Sequence, residues 1–318
     1  MAHAARGRRR REHRVTNAGT GPTEAGPAPL FLWAACVIGH DLLSRCEAVR
    51  TGEFIGMSVL CADFVDLEEQ HGWSPARVAE ELRVRETRGL VIDPYLDWYP
   101  GWDASSTAGP HARSIRATES DVLRYADAVG AESMSVLGPF EGPAAPMDAV
   151  VDALGAFADR AAEHGLRLHV EVIPTSHIPD VPTGWSSVEA VDRPNVGLVL
   201  DTFHLGRSSC DPAFLDRIPL EKVFHVQLCD APAVPTIADF FEEAVTERQF
   251  AGDGELNAAE YVWHLTRDGT FPQMGPEVPS SELRAMTPAD TGRLCARKTH
   301  EFLDSVRDHR GNASELPT

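Results

Sequence analysis

Several common features are missing from this 318-residue chain, and each absence removes a class of protein. Its six cysteines (Cys36, Cys46, Cys61, Cys210, Cys229, Cys295) contain no CxxC pair. Scattered thiols in a chain of this length argue against a disulfide framework or a zinc knuckle, and fit reduced cysteines in a cytoplasm. Cys229, inside "HVQLCDA", reads as a small core residue and not as a nucleophile. No apolar run approaches 18 residues. "PLFLWAACVIG" is too short for a membrane span and lacks the arrangement of a signal peptide. Neither GxGxxG nor GxxxxGK[ST] occurs, which removes the usual glycine-rich phosphate cradles.

Basic charge is also scarce. The chain carries 29 Lys and Arg against 48 Asp and Glu, a net charge of −19. Residues 1–29 hold six arginines (Arg6, Arg8, Arg9, Arg10, Arg11, Arg14) and two glutamates, net +4, which leaves −23 on the remainder. So acidic a body repels phosphate backbones, so no nucleic-acid partner is expected. The first 29 residues lack apolar periodicity and read as a disordered, Arg-rich extension. Residues 309–318 read as a flexible tail.

Between those ends, short apolar runs alternate with longer amphipathic ones. The strand candidates are 31–38, 54–61, 89–96, 133–140, 166–174, 195–201, 222–229 and 271–278. The clearest helical stretch is "PMDAVVDALGAFADRAAEHG", punctuated by proline near its start and glycine at its end. Eight strand-then-helix units in under 300 residues predict an α/β fold, a single (β/α)8 TIM barrel over residues 30–308. A doubly wound sheet is the rival, and it lacks its glycine-rich turn.

In such a barrel the C-terminal strand ends converge on one mouth. The fifth candidate strand puts Glu171 there, and the sixth ends on Asp201 with His204 three residues on. The seventh carries His225 and Gln227 on one face by period-two alternation, and the eighth runs into Glu277. Three carboxylates aimed at one point repel each other unless a cation neutralises them. An oxygen-rich set suits one divalent ion, Mn2+ or Mg2+ first, with Co2+ or Zn2+ as alternatives. His204 reads as a contact to substrate or to a metal ligand.

The segments "LHVEVIP", "NVGLVLDTFHLGRS", "KVFHVQLCDAP", "AGDGELN" and "PEVPSSELRAM" resemble the xylose isomerase-like TIM-barrel superfamily, in its sugar phosphate isomerase/epimerase branch. The resemblance covers roughly residues 120 to 300, and "IDPYLDWYPGWD" (92–103) extends it. It implies a single metal held by Glu171, Asp201, Gln227 and Glu277, at intervals of 30, 26 and 50 residues. His204, Arg248 and His225 are implied as substrate contacts, with His225 also a candidate for the third ligand. Glutamine in place of the epimerases' histidine is similar to the 3-dehydroshikimate dehydratases. Pro279 and Asp253 depart from the family pattern, where an aromatic and a glutamate are usual.

What the resemblance implies is a metal-dependent isomerase or epimerase for a small polyhydroxy keto substrate (a keto-sugar, sugar phosphate or cyclitol) in carbohydrate metabolism. Glu171 and Glu277 would remove and return a proton beside a metal-bound carbonyl through an enediolate, with His204 assisting. The alternatives are a lyase of the 3-dehydroshikimate dehydratase type and a barrel without activity that serves as a subunit or regulator. A histidine-rich endonuclease site is not supported by these strand ends. The expectations are completed by a cytoplasmic location, no membrane partner, and a homo-oligomer as an allowed state.

Overall fold

Period-two apolar runs become seven parallel strands, paired in chain order: β1 (Met57–Val59), β2 (Gly89–Tyr95), β3 (Ser133–Leu137), β4 (Arg167–Glu171), β5 (Val196–Asp201), β6 (Val223–Leu228) and β7 (Gln273–Pro276). Nearly every residue of β3 to β6 is buried, as expected of parallel strands covered by helices outside and packed side chains inside. The computed structural model describes residues 29–103 and 116–313. The Arg-rich extension therefore lies outside the described residues, apart from Pro29.

Residues 30–33 close the ring. The Phe31 and Trp33 amides donate to Met274 O and Pro276 O on β7, at 3.0 and 3.4 Å. On the other side, the Leu32 amide donates to Gly56 O and the Ser58 amide to Leu32 O, at 3.0 and 3.1 Å. The eight-stranded TIM barrel read from the sequence is thus present, with its first strand shorter than expected. The candidate over 31–38 is extended only to Trp33, and Ala34–Val37 is a 3-10 helix. Its neighbours β1 and β7 are only three and four residues long. The ladder runs out, and the Ala34 amide turns to the Ser58 hydroxyl at 2.9 Å. Gly275 permits this closure: a Cβ there would sit 1.7 Å from Phe31 O.

Helices fill the outer layer as the 3.6-residue period dictates. The helix Met147–Glu163 buries Val150, Leu154, Phe157, Ala158 and Ala161 on one stripe. Asp180 caps Val181–Val191 by accepting from the Thr183 amide. The last helix, Pro288–Ala313, continues five residues past position 308, into the region read as a flexible tail. No helix among the described residues is long and apolar enough to cross a membrane.

Candidate metal centre

Register brings the acidic strand ends close together, with Glu171 paired to Val199, two residues before Asp201. Asp201 pairs across the sheet with Gln227, and Gln227 with Gly275, two residues before Glu277. Glu171 closes β4 beside Leu137 on β3. Glu171, Asp201 and His204 each offer a ligand atom, all within 4.8 Å of one another, and all three are buried. His204 Nε2 lies 3.4 Å from Asp201 Oδ2 and 3.6 Å from Glu171 Oε1. His204 reaches this point because Asp201 caps its own following helix, Thr202–Arg207, by accepting from the Phe203 amide at 2.8 Å.

Arg248 completes the cluster from the loop that follows the short helix Phe240–Thr246. Its Nη1 donates to Asp201 Oδ2 at 2.6 Å and to Glu277 Oε2 at 3.0 Å. Its Nε donates to Ala244 O at 2.7 Å, and its guanidinium lies 4.7 Å over the Phe203 ring. Asp230 anchors the loop that follows, accepting from the Gly252 and Leu256 amides at 3.1 and 2.8 Å.

Burial alone would raise the Asp201 carboxyl, but the Arg248 guanidinium and then His204 hold it well below the usual carboxylate range. Glu277 goes the other way: burial, reinforced by the charges of Asp201 and Glu171, outweighs Arg248 and pushes it well up. A single guanidinium shared by two buried carboxylates keeps one ionised and favours a proton on the other. Cys229 is the small core residue expected, with its thiol donating to Asp201 Oδ1 at 3.0 Å. Burial holds that thiol well above its ordinary value, which keeps it a donor and not a thiolate.

The donor set suits a divalent cation. Beside these carboxylates the Gln227 amide is fully buried, and neither its oxygen nor its nitrogen has a hydrogen-bond partner. A buried amide oxygen left unpaired is disfavoured unless something takes its lone pairs. A hard cation among three carboxylates can do so.

The structure separates His225 from this group. It lies two residues below Gln227 on β6, about 6.6 Å deeper along the strand. There its Nε2 is 3.3 Å from Ser133 Oγ, and its ring packs 5.0 Å from His169 and 5.7 Å from Trp33. Of the seven residues singled out from the sequence, Glu171, Asp201, His204, Arg248 and Glu277 form one contact cluster, and Gln227 adjoins it. His225 belongs to the barrel interior.

Asp93, on β2, was not singled out, although it satisfies the same strand-end criterion. It is half-buried, and burial followed by the charge of Glu171 pushes its carboxyl up to about 8, against a lowering hydrogen bond from Ser135. The Ser135 hydroxyl also donates to Glu171 Oε2 at 3.2 Å. An apolar cluster adjoins these residues beyond the ends of β2, β3 and β4: Leu96, Leu137 and Ile173, with Trp102, Phe140 and Phe240 packed against them. Phe240 also faces His204, their ring centres 5.9 Å apart.

The fold is that of an α/β barrel whose mouth gathers groups able to hold a metal ion, and the comparisons agree on the barrel. The chain belongs to the xylose isomerase-like TIM barrel family, whose model matches residues 51–305. It is 30% identical over 137 residues to a 3-dehydroshikimate dehydratase of Pseudomonas putida, a match covering 43% of this chain and 21% of that protein. The chain thus spans about a fifth of that relative. An inosose isomerase of Halalkalibacterium halodurans is 26% identical over 121 residues, covering 37% of this chain and 42% of its own. Among solved structures, the IOLI protein with a bound zinc atom superposes with a TM-score of 0.74 at 16% identity, over 87% of this chain and 99% of that one. That likeness speaks to the fold. Relatives named as a dehydratase and an isomerase place this chain in a family that contains enzymes.

Proposed function

We propose that the chain is a metal-dependent enzyme that removes the proton beside the carbonyl of a hydroxy ketone and expels the β-hydroxyl as water, a lyase of the 3-dehydroshikimate dehydratase type. The observation that carries this is Gln227: a glutamine, level with Asp201, its amide unpaired, where the isomerase pattern has histidine. The relative from Pseudomonas putida is named for that reaction. Glu171, Asp201, Gln227 and Glu277 would hold the ion, which when bound supplies a Lewis acid for the substrate carbonyl.

The chain's own groups supply the rest. Glu171 has one oxygen turned to Ser135 and the other toward His204, so its carboxylate is oriented to receive a proton from the mouth. Glu277, just past the end of β7 and apart from Glu171 on β4, would pass a proton to the departing hydroxyl. His204, held between Glu171 and Asp201, orients a substrate oxygen. The aromatic and aliphatic cluster excludes water from one face of the mouth, which suits a ring with a hydrocarbon edge.

Isomerisation is the second reading. The inosose isomerase relative favours it, as do carboxylates brought by strands on two sides of the mouth, β4 and β7. A direct test separates the two. Protein loaded with Mn2+ is incubated with 3-dehydroshikimate, then with ketoses and cyclitol ketones, and products are followed by ultraviolet absorbance and mass. Loss of one water with a new aromatic absorbance is the expected result. A product of unchanged mass from a ketose or cyclitol, with none from 3-dehydroshikimate, reverses the order of the readings. Absence of turnover together with absence of bound metal leaves a barrel without this chemistry.

A further inference from the structure

Arg248 read from sequence as a cation free to grip a substrate anion, yet the structure spends that cation inside the site. Nη1 bridges Asp201 Oδ2 and Glu277 Oε2 and also reaches Cys229 Sγ at 3.4 Å; Nη2 lies 3.5 Å from His204 Nε2. Nε is tied to Ala244 O. The side chain is buried, and each of its three nitrogens has a polar neighbour. The two oxygens it bridges belong to two of the four residues assigned above to the metal.

We propose that Arg248 is the internal counter-ion of the metal-free site, and that a divalent metal binds Asp201 and Glu277 only as Arg248 gives them up. This rests on the metal reading of the site and goes beyond it. Without a cation, Asp201 and Glu277 would stand buried and unpaired, an arrangement that proteins avoid. The guanidinium removes that penalty. A divalent ion on the same two oxygens would repel a guanidinium held against them, so the two cations compete. Metal uptake then has a second consequence. The displaced Nη atoms, still on a stem braced by Phe203 and Ala244, become available for an anionic group of the substrate. Metal therefore binds before substrate, and the same arginine stabilises the empty site and grips the substrate in the loaded one.

The experiment is titration of chelator-stripped protein with Mn2+ by calorimetry, on wild type, Arg248→Gln and Lys298→Met. Lys298 pairs with Asp253 on the surface and controls for loss of a positive charge elsewhere. The expected result is at least tenfold tighter Mn2+ binding by R248Q, with K298M equal to wild type. Binding by R248Q where wild type binds none also supports the proposal. Equal or weaker binding by R248Q overturns it, because Arg248 would then merely hold the carboxylates in place; this outcome leaves the metal site standing. Binding by none of the three proteins overturns both. If R248Q folds only with metal, the rate of Mn2+ release to excess chelator replaces the titration: slower release than wild type supports the competition, and equal or faster release overturns it.

Discussion

Two layers of the same barrel, two residues apart on the same strands, have opposite electrostatic characters. The upper layer carries Asp93, Glu171, Asp201 and Gln227, with Glu277 just beyond β7; the layer beneath carries Val91, His169, Val199 and His225. Above, Arg248 bridges Asp201 and Glu277, and Asp201 is held below its ordinary range while burial pushes Glu277 above it. Below, burial disfavours the charged form and the imidazoles are held neutral. Burial lowers His225 to about 3, and burial followed by His225 lowers His169 well below its ordinary range. Phe31 and Trp33 pack their rings against these two histidines and close the barrel floor. A step of about 6.6 Å along a strand separates a layer built for ionic chemistry from one built as core.

The strongest test breaks the upper layer at its most connected member. Asp201→Ala removes the partner of Arg248, the cap of the helix carrying His204 and one proposed ligand. Metal content by elemental analysis should fall from about one ion per chain to none, with a stability loss on the order of 3–5 kcal/mol by denaturant unfolding. An Asp201→Ala protein with full metal content would show that the centre lies elsewhere. Next come Glu171→Gln and Glu277→Gln, which keep shape and an oxygen ligand but lose the proton-transfer group. Each should lower kcat by about 10²–10⁴-fold with metal retained. Full activity in either variant removes that residue from the proton path.

Asp93 sharpens the comparison through pH. Its folded carboxyl is raised to about 8, and the unfolded one titrates near the ordinary ~3.9. Between those values the folded chain holds the extra proton, so stability falls as pH rises through that window, and the loss is complete above about 8. Asp93→Asn has no proton to lose. Chelator-stripped Asp93→Asn should therefore melt higher than wild type at about pH 8.5, with the gap narrowing toward about pH 5; a gap that is flat or widens on acidification contradicts the assignment. The smallest effect belongs to the lower layer. His225→Phe should change stability by about 1–2 kcal/mol while leaving kcat and Mn2+ affinity within about threefold of wild type. A large loss of metal affinity would return His225 to the site.

Much of this was legible in the sequence because it depends on local rules. Strand ends found from period and length put Glu171, Asp201, Gln227 and Glu277 at one mouth, and β5 and β6 lie within a residue or two of their expected spans. Asp93 carries the same signal, a carboxylate near the end of an apolar run, but the proline that follows it reads as a strand breaker and obscures where the strand ends. Alternation gives the face of a strand and not the depth, so His225 shares a face with Gln227 yet lies a layer beneath it. The first strand was drawn too long because an apolar run such as "LFLWAACVI" reads alike as strand or as a short buried helix.

What the sequence alone determined is the eight-unit barrel and the identity of the residues at its mouth, since hydrophobic period and strand-end position are properties of consecutive residues. Only the tertiary structure decided which charges meet. Arg248 lies 47 positions from Asp201 and 29 from Glu277 in the chain, yet it is within hydrogen-bond distance of both. That closeness comes from strand register and from the loop pinned by Asp230, and it is what holds Asp201 ionised while Glu277 is pushed toward its protonated form. The physical reason is range: periodicity acts over a few residues, whereas a buried charge responds to whatever the fold brings within a few ångströms.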